Sequence, residues 1–246
     1  GAPKCGTTSM NHWLNQHPEL YLIRGEPHFF ATDLAYNSPR MGQGRYRALC
    51  GKAGDASLCG ERSSWYLYSK AAAREIHAVN PEARIIALVR QPADMLYSLH
   101  AHHYQRDRLE NVASLEEAMA LEPERRAGRC LPPRGGFPEK FRYSELPCYS
   151  EQIGRYMHRF GPRQVKVILF DDLRADPGKV YGEVLEFLGV ERNFSPDFEI
   201  YNPSSPEPDT LLRRLWKTGT WRYRVRSMTP QWLRDRQLKR RKERRL

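Results

Sequence analysis

Residues 1–20 read GAPKCGTTSMNHWLNQHPEL, and this stretch decides how the rest of the chain is interpreted. Two glycines, a proline, Lys4 and three hydroxyl residues precede Met10, Trp13 and Leu14, which have the apolar spacing of one helix face. Such a loop leaves backbone N–H groups open at a helix N-terminus, where the helix dipole also favours a bound anion. The stretch therefore predicts a phosphate-binding loop; taken alone, an ordinary helix-capping turn is the alternative.

The loop differs from the common loop of nucleotide triphosphatases. The Walker pattern GxxxxGK[ST] requires a lysine directly after its second glycine. Thr7 occupies that place here, and the lysine, Lys4, comes earlier. A P-loop kinase or NTPase is therefore disfavoured and is kept as an alternative function.

The basic charge is concentrated at the C-terminal end of the chain. Residues 213–246 hold 14 Lys/Arg and two acids, a net charge of +12, whereas the whole chain of 246 residues carries +11. Residues 1–212 are therefore near neutral, at −1, which disfavours nucleic-acid binding by this body. The tail, residues 213–246, is either a solvated face or a contact surface for a polyanion or an acidic membrane.

The composition favours a folded domain. An apolar fraction of 40% is enough for one large α/β domain or two small ones. No apolar run approaches the roughly 20 residues of a membrane helix, and no signal peptide is visible. Because a phosphate loop of this type normally follows a buried strand, we expect the natural protein to extend before Gly1. Any signal or membrane anchor would belong to that extension.

The five cysteines match no zinc-site spacing. Cys50/Cys59 and Cys130/Cys148 each bracket a loop and are candidates for disulfides in a secretory protein. Free buried thiols are the equal alternative. Cys5, inside the phosphate loop, is then the unpaired one.

The PKxGTT pattern of residues 3–8 resembles the loop with which the sulfotransferase family holds its donor, 3′-phosphoadenosine 5′-phosphosulfate (PAPS). The resemblance implies a P-loop-like three-layer α/β sandwich, with a central parallel sheet flanked by helices and a first strand that precedes Gly1. It implies PAPS as the sulfuryl donor and no metal. The loop residues expected to bind PAPS are Lys4, Cys5, Gly6, Thr7, Thr8 and Ser9.

Residues 19–30, ELYLIRGEPHFF, resemble the KExHFF turn of heparan sulfate sulfotransferases. The resemblance implies that Glu26 is the general base. His28 is the second candidate, because imidazole titrates near neutrality. Lys4 is expected to stabilise the leaving phosphate as preorganised charge. In the structural alternative, Glu26 pairs with Arg24 or Lys4, and His28 is a packed loop residue.

Residues 83–90, ARIIALVR, form a continuous apolar run that predicts a parallel strand buried on both faces and ending at Arg90. Ligands of open α/β sheets bind at such carboxyl ends. Arg90 and Ser98 match the RxxxxxxxS motif of the family, which implies binding of the 3′-phosphate; for Arg90 alone, a structural ion pair is the alternative. Arg213 is expected to contribute to the nucleotide site.

Two further segments carry predictions about the acceptor. Residues 58–69, LCGERSSWYLYS, resemble the GExSPxY stretch of the family without its proline, and Arg62 and Tyr66 are expected to line the substrate cleft. Residues 130–148 are rich in Pro and Gly and predict a long loop, either an acceptor-binding lid or a plain surface insertion. Residues 33–55 predict a loop with at most one helical turn.

Over residues 1–212, taken as one domain, the resemblance implies transfer of a sulfuryl group from PAPS to a hydroxyl or amine. The glutamate motif favours a carbohydrate or glycosaminoglycan acceptor, and small hydroxylated metabolites remain open. The expected location is the Golgi lumen behind a type II anchor in a eukaryote, or the cytoplasm in a bacterium. The second alternative function is a non-catalytic polyanion-binding module that acts through the basic tail.

Overall fold

A computed structural model describes residues 1–34, 41–133 and 136–201. The predictions for Arg213 and for the basic tail lie outside the described residues. The strands are β1 (Leu20–Leu22), β2 (Leu58–Gly60), β3 (Ile85–Val89) and β4 (Val165–Leu169). The helices are α1 (Thr7–Leu14), α2 (Gln43–Cys50), α3 (Ala72–Val79), α4 (Pro92–Ala101), α5 (Leu115–Ala120), α6 (Glu122–Arg126), α7 (Tyr149–Phe160), α8 (Phe170–Ala175) and α9 (Pro177–Leu188).

Strands β3 and β4 form the buried centre of the fold. They pair in parallel over their whole length, from Ile85 opposite Val165 to Val89 opposite Leu169. Lys166 is the one polar residue in these two strands, and the remaining residues are apolar, as expected for parallel strands covered by helices. Their carboxyl ends therefore meet at one edge, where ligands of parallel sheets bind.

Strands β1 and β2 form a second parallel pair, with Leu20 opposite Leu58 and Leu22 opposite Gly60. Beside β3, the backbone N–H of Ala2 donates to the carbonyl of Leu88 at 2.8 Å. The parallel α/β architecture expected from the sequence is thus confirmed. Among the described residues, however, the strands form two separate pairs and not one continuous sheet.

Helix α4 begins directly after the turn that follows β3. Pro92 is its first residue, and the side chain of Gln91 accepts a hydrogen bond from the N–H of Asp94 at 2.9 Å. The helix continues directly into a π-helical turn, His102–Arg106. Turns of this kind are frequent at functional sites, and this one faces the cleft described below.

Residues 136–148, within the segment predicted as a lid or a surface insertion, are packed into the core. Phe137, Phe141 and Tyr143 are each at most 1% exposed. The hydroxyl of Tyr143 donates to Glu110 at 2.9 Å, and Glu110 forms a fully buried ion pair with Arg125. The Pro and Gly content correctly indicated an irregular backbone, but the aromatic residues between them decide where it lies.

Two other expectations are corrected. Residues 43–50 form a helix of eight residues, α2, where at most one helical turn was predicted. All five cysteines are free thiols, so the two candidate disulfides are absent from this structure.

In the ranges that the structure describes, every helix is too short or too polar to cross a bilayer.

Candidate active site

The N-terminal loop and helix α1 form a concave, donor-lined turn at the edge of the sheet. Gly6 precedes α1 with a φ of 80°, and a Cβ there would lie 2.9 Å from the side chain of Leu173. Glycine is therefore required for both its conformation and its size. Lys4 also has a positive φ, 58°, which is uncommon for a residue with a side chain and clusters at functional sites.

This turn opens into a cavity of about 710 Å³, within the size range of small-molecule sites. Burial, followed by the charges of Arg106 and Arg90, lowers the pKa of Lys4. The guanidinium of Arg90 lies 4.8 Å from the ring centroid of Phe170, the residue that follows β4. Several predicted site residues line the cavity together: Lys4, Gly6, Thr7, Thr8, Ser9, Glu26, Arg62 and Arg90.

Arg62 joins the N-terminal loop to the candidate base. Its Nη1 donates to Oγ1 of Thr8 at 3.1 Å and lies 2.8 Å from Oε1 of Glu26. Thr8 belongs to the first turn of α1, whereas Glu26 follows β1. One guanidinium therefore holds the two halves of the site at a set separation, a role more specific than the substrate lining expected for Arg62.

Glu26 is held by four contacts. Besides Arg62, the backbone N–H and hydroxyl of Ser64 donate to its Oε2 at 2.9 and 2.6 Å. Nε2 of His28 lies 3.3 Å from the same oxygen. Burial acts to raise the pKa of Glu26, but the Ser64 hydrogen bonds and the Arg62 charge outweigh it, so the pKa lies below its ordinary value. The carboxylate is thus ionised and oriented at neutral pH.

His28 makes the fourth of these contacts. Its backbone has a positive φ of 49°, and its N–H donates to Oγ of Ser63 at 3.0 Å. Burial lowers the pKa of His28, although the charge of Glu26 acts in the other direction. The imidazole is therefore neutral at pH 7. His28 does not line the cavity, whereas Glu26 does, so only Glu26 is exposed to a molecule bound there.

Three other predicted site residues lie nearby without lining the cavity: Cys5, Tyr66 and Ser98. Cys5 is fully buried, and its thiol donates to the carbonyl of Pro3 at 3.3 Å. The hydroxyl of Tyr66 accepts from the N–H of Phe30 at 3.1 Å, which anchors the loop that carries Glu26. Ser98 is buried on α4.

The structure also brings into the cavity several residues that the sequence patterns did not indicate. They are Asp107, His102 and His103 at the π-helical turn, Lys140 from the packed segment 136–148, and Tyr201. The N–H of Tyr201 donates to Oγ of Ser9 at 3.1 Å, across 192 positions of the chain. Only the basic character of Lys140 within an aromatic stretch, FPEKF, was visible beforehand.

The arrangement suits transfer of an anionic group. The loop N–H groups, Lys4 and Arg90 supply donors and positive charge to the cavity. An ionised carboxylate, Glu26, lines the same cavity and is placed to accept a proton. Arg62 keeps the two at a constant distance.

Comparison with known proteins identifies relatives that cover most of the chain. A family model for the sulfotransferase domain matches residues 67–202. The crystal structure of a sulfotransferase from Alicyclobacillus acidocaldarius superposes with a TM-score of 0.74 at 30% identity, covering 89% of this chain and 88% of that one. A sulfotransferase domain from the curacin biosynthetic pathway, at 15% identity and a TM-score of 0.52, shares the fold.

Curated relatives act on a sulfated polysaccharide according to their names. Human heparan sulfate glucosamine 3-O-sulfotransferase 6 is 25% identical over 211 residues, which cover 85% of this chain and 56% of that protein. The bifunctional heparan sulfate N-deacetylase/N-sulfotransferase 1 of Xenopus laevis is 28% identical over 203 residues, which cover 77% of this chain and 21% of that protein. The chain thus spans about half the length of the first relative and about a fifth of the second.

Proposed function

Because this chain belongs to the sulfotransferase domain family, we propose that it transfers a sulfuryl group from PAPS to an acceptor hydroxyl or amine. The observation that carries the proposal is the Arg62 bridge. It ties Thr8 of the anion-binding loop to Glu26 across one cavity, at 3.1 and 2.8 Å. A donor site and a proton acceptor at a set distance are what an in-line transfer requires.

The residues of the cavity fit the donor. PAPS supplies the sulfuryl group and leaves as the 3′,5′-bisphosphate. The N–H groups at the start of α1 and the ammonium of Lys4 are suited to its 5′-phosphosulfate. Arg90, at the end of β3, is suited to its 3′-phosphate, and we assign Ser98 and Arg213 supporting roles there.

Glu26 acts as the general base in this proposal. It accepts the proton of the acceptor while the new oxygen–sulfur or nitrogen–sulfur bond forms and the bond from sulfur to the phosphate oxygen breaks. Its contact with His28, at 3.3 Å, is the longest of the four, so the acceptor replaces that contact most easily. Lys4 stabilises the negative charge that develops on the leaving phosphate.

The acceptor we propose is a carbohydrate of the glycosaminoglycan type. Support comes from the names of the curated relatives, all of which include heparan sulfate, and from the match of Glu26 and His28 to the turn of such enzymes. A small hydroxylated metabolite is the alternative acceptor. The domain limits, 1–212 with a basic tail, and a Golgi-lumenal location in a eukaryote also stay predictions.

The test is binding followed by transfer. A ligand that binds only the folded state raises its melting temperature by mass action. We expect 3′-phosphoadenosine 5′-phosphate to raise the melting temperature clearly more than ADP, AMP or Mg²⁺-ATP at equal concentration. We then expect mass spectrometry to detect sulfate on a heparosan oligosaccharide after incubation with PAPS.

Each rival function predicts a different outcome. A kinase or NTPase is stabilised most by Mg²⁺-ATP and consumes it. A polyanion-binding module that acts through the tail binds the oligosaccharide, is indifferent to the nucleotide and transfers nothing.

A further inference from the structure

Lys140 is held rigidly at the wall of the cavity. It lies in the 3₁₀ turn Pro138–Phe141, between two side chains that are 1% exposed, Phe137 and Phe141. Its backbone N–H donates to the carbonyl of Phe137 at 3.2 Å, and its ammonium group lies 4.8 Å from the ring centroid of the same residue. The side chain is therefore already ordered, and less entropy is lost when it binds a ligand.

Lys140 shares the cavity with the proposed base, and their charges interact. Burial lowers the pKa of Lys140, and the carboxylates of Asp107 and Glu26 act to raise it. In turn, the charge of Lys140 helps to lower the pKa of His28. Lys140 and Glu26 both line the cavity, so both face a molecule bound there.

The nearby carboxylates are engaged by other partners. Glu26 pairs with Arg62 at 2.8 Å, and Asp107 pairs with His102 at 3.2 Å. Among residues 1–34, 41–133 and 136–201, no carboxylate lies within ion-pairing distance, 4.0 Å, of the Lys140 ammonium. A half-buried cation without such a partner is only partly hydrated, and a bound anion supplies the missing counter-charge.

Lys140 comes from a different part of the chain than the cations assigned to the donor. Lys4 and Arg90 come from the N-terminal loop and the end of β3, whereas Lys140 comes from the packed segment 136–148, and all three line the cavity. Burial lowers the pKa of His103 to about 3, and the charges of Lys140 and Lys4 act in the same direction, so this imidazole stays neutral. Since the proposed donor contacts use Lys4 and Arg90, Lys140 is available to the other substrate.

We propose that Lys140 is a specificity-determining residue that binds an anionic group of the acceptor, a carboxylate or a sulfate, next to the group that Glu26 deprotonates. This inference rests on the proposed function, since it concerns the acceptor of that reaction. It assigns a preference for acidic over neutral saccharides to one side chain. A neutral acceptor would leave the ammonium without a counter-charge.

The experiment compares two acceptors and three variants. The probes are a heparosan hexasaccharide, which carries glucuronate carboxylates, and the same hexasaccharide with its carboxylates reduced to alcohols. The variants are Lys140→Gln, Lys140→Arg and the control Lys52→Gln, which removes an exposed lysine that does not line the cavity. Affinity is measured by calorimetry with 3′-phosphoadenosine 5′-phosphate present, and KM and kcat are measured with PAPS.

We expect Lys140→Gln to weaken binding of the acidic hexasaccharide about tenfold or more, the scale of one charge-assisted contact. Binding of the reduced hexasaccharide should change less than about twofold, as should the affinity for the nucleotide. Lys140→Arg should keep most of the acidic preference, and Lys52→Gln should behave as the wild type. The effect should appear in KM more than in kcat.

Several results would overturn the inference. They are equal losses for both hexasaccharides, a loss of nucleotide affinity, no change in Lys140→Gln, or a wild type that does not prefer the acidic probe. Failure of the proposed function is a separate result. In that case the wild type binds the acidic probe through Lys140 but transfers no sulfuryl group to it.

Discussion

Replacing Glu26 by glutamine tests the centre of the proposed mechanism. The carboxylate accepts hydrogen bonds from the N–H and hydroxyl of Ser64 at 2.9 and 2.6 Å, and pairs with Arg62 at 2.8 Å. Glutamine has nearly the same shape but only one acceptor oxygen. Its NH₂ group must face either Arg62 or the Ser64 N–H, so one donor is opposed by another donor.

The expected size of the effect follows from these contacts. Losing one charge-assisted hydrogen bond at this largely buried carboxylate lowers the free energy of unfolding by about 1.5–3 kcal/mol. Loss of the general base lowers turnover by ~10²–10⁴-fold. Affinity for the 3′,5′-bisphosphate should stay within a few-fold, because Lys4 and Arg90 are untouched.

The measurements are kcat with PAPS, nucleotide affinity by calorimetry and urea unfolding. Glu183→Gln is a matched control, since it breaks a partly exposed pair with Lys166, 3.3 Å long, outside the cavity. That variant should lose at most about 1 kcal/mol and keep its turnover.

Turnover of folded Glu26→Gln within about threefold of the wild type would refute the reasoning. If His28→Ala instead abolishes turnover while Glu26→Gln is nearly silent, the two roles are reversed. The carbohydrate acceptor would then lose the motif on which it mainly depends.

Three further predictions concern the same site. Lys4→Ala should keep the fold, judged by its melting temperature, and lose turnover by ~10²-fold or more, the scale of one transition-state donor; unchanged turnover would remove Lys4 from the mechanism. Arg90→Ala should weaken 3′-phosphoadenosine 5′-phosphate about tenfold or more and AMP hardly at all, and equal losses in calorimetry would make Arg90 structural. The pKa of Glu26 lies below its ordinary value of 4.5, so its ionised form contributes stability that is complete above that pH and is lost as the pH falls through the folded pKa. The difference in unfolding free energy between wild type and Glu26→Gln should therefore be flat from about pH 5 to 7 and shrink below 4.5 in urea titrations, and a difference that grows on acidification would contradict this.

The parts of the fold with strong local signals were predictable from the chain alone. An uninterrupted apolar run is enough to place β3. The turn ahead of α1 was predictable for the same reason, and its role in binding phosphate stays a prediction. Backbone N–H donors ahead of α1, with Gly6 free to take a φ of 80°, are a property of consecutive residues.

The contacts that assemble the site join residues far apart in the chain, and no local pattern encodes them. Arg62 reaches Thr8 across 54 positions, and Ser64 reaches Glu26 across 38. The position of residues 136–148 also depends on packing. Their Pro and Gly content predicted a loop, but Phe137 and Phe141 are buried in the core. This packing places Lys140 at the cavity. Periodicity reports which residues prefer burial, whereas the partners they meet depend on the three-dimensional arrangement of the elements.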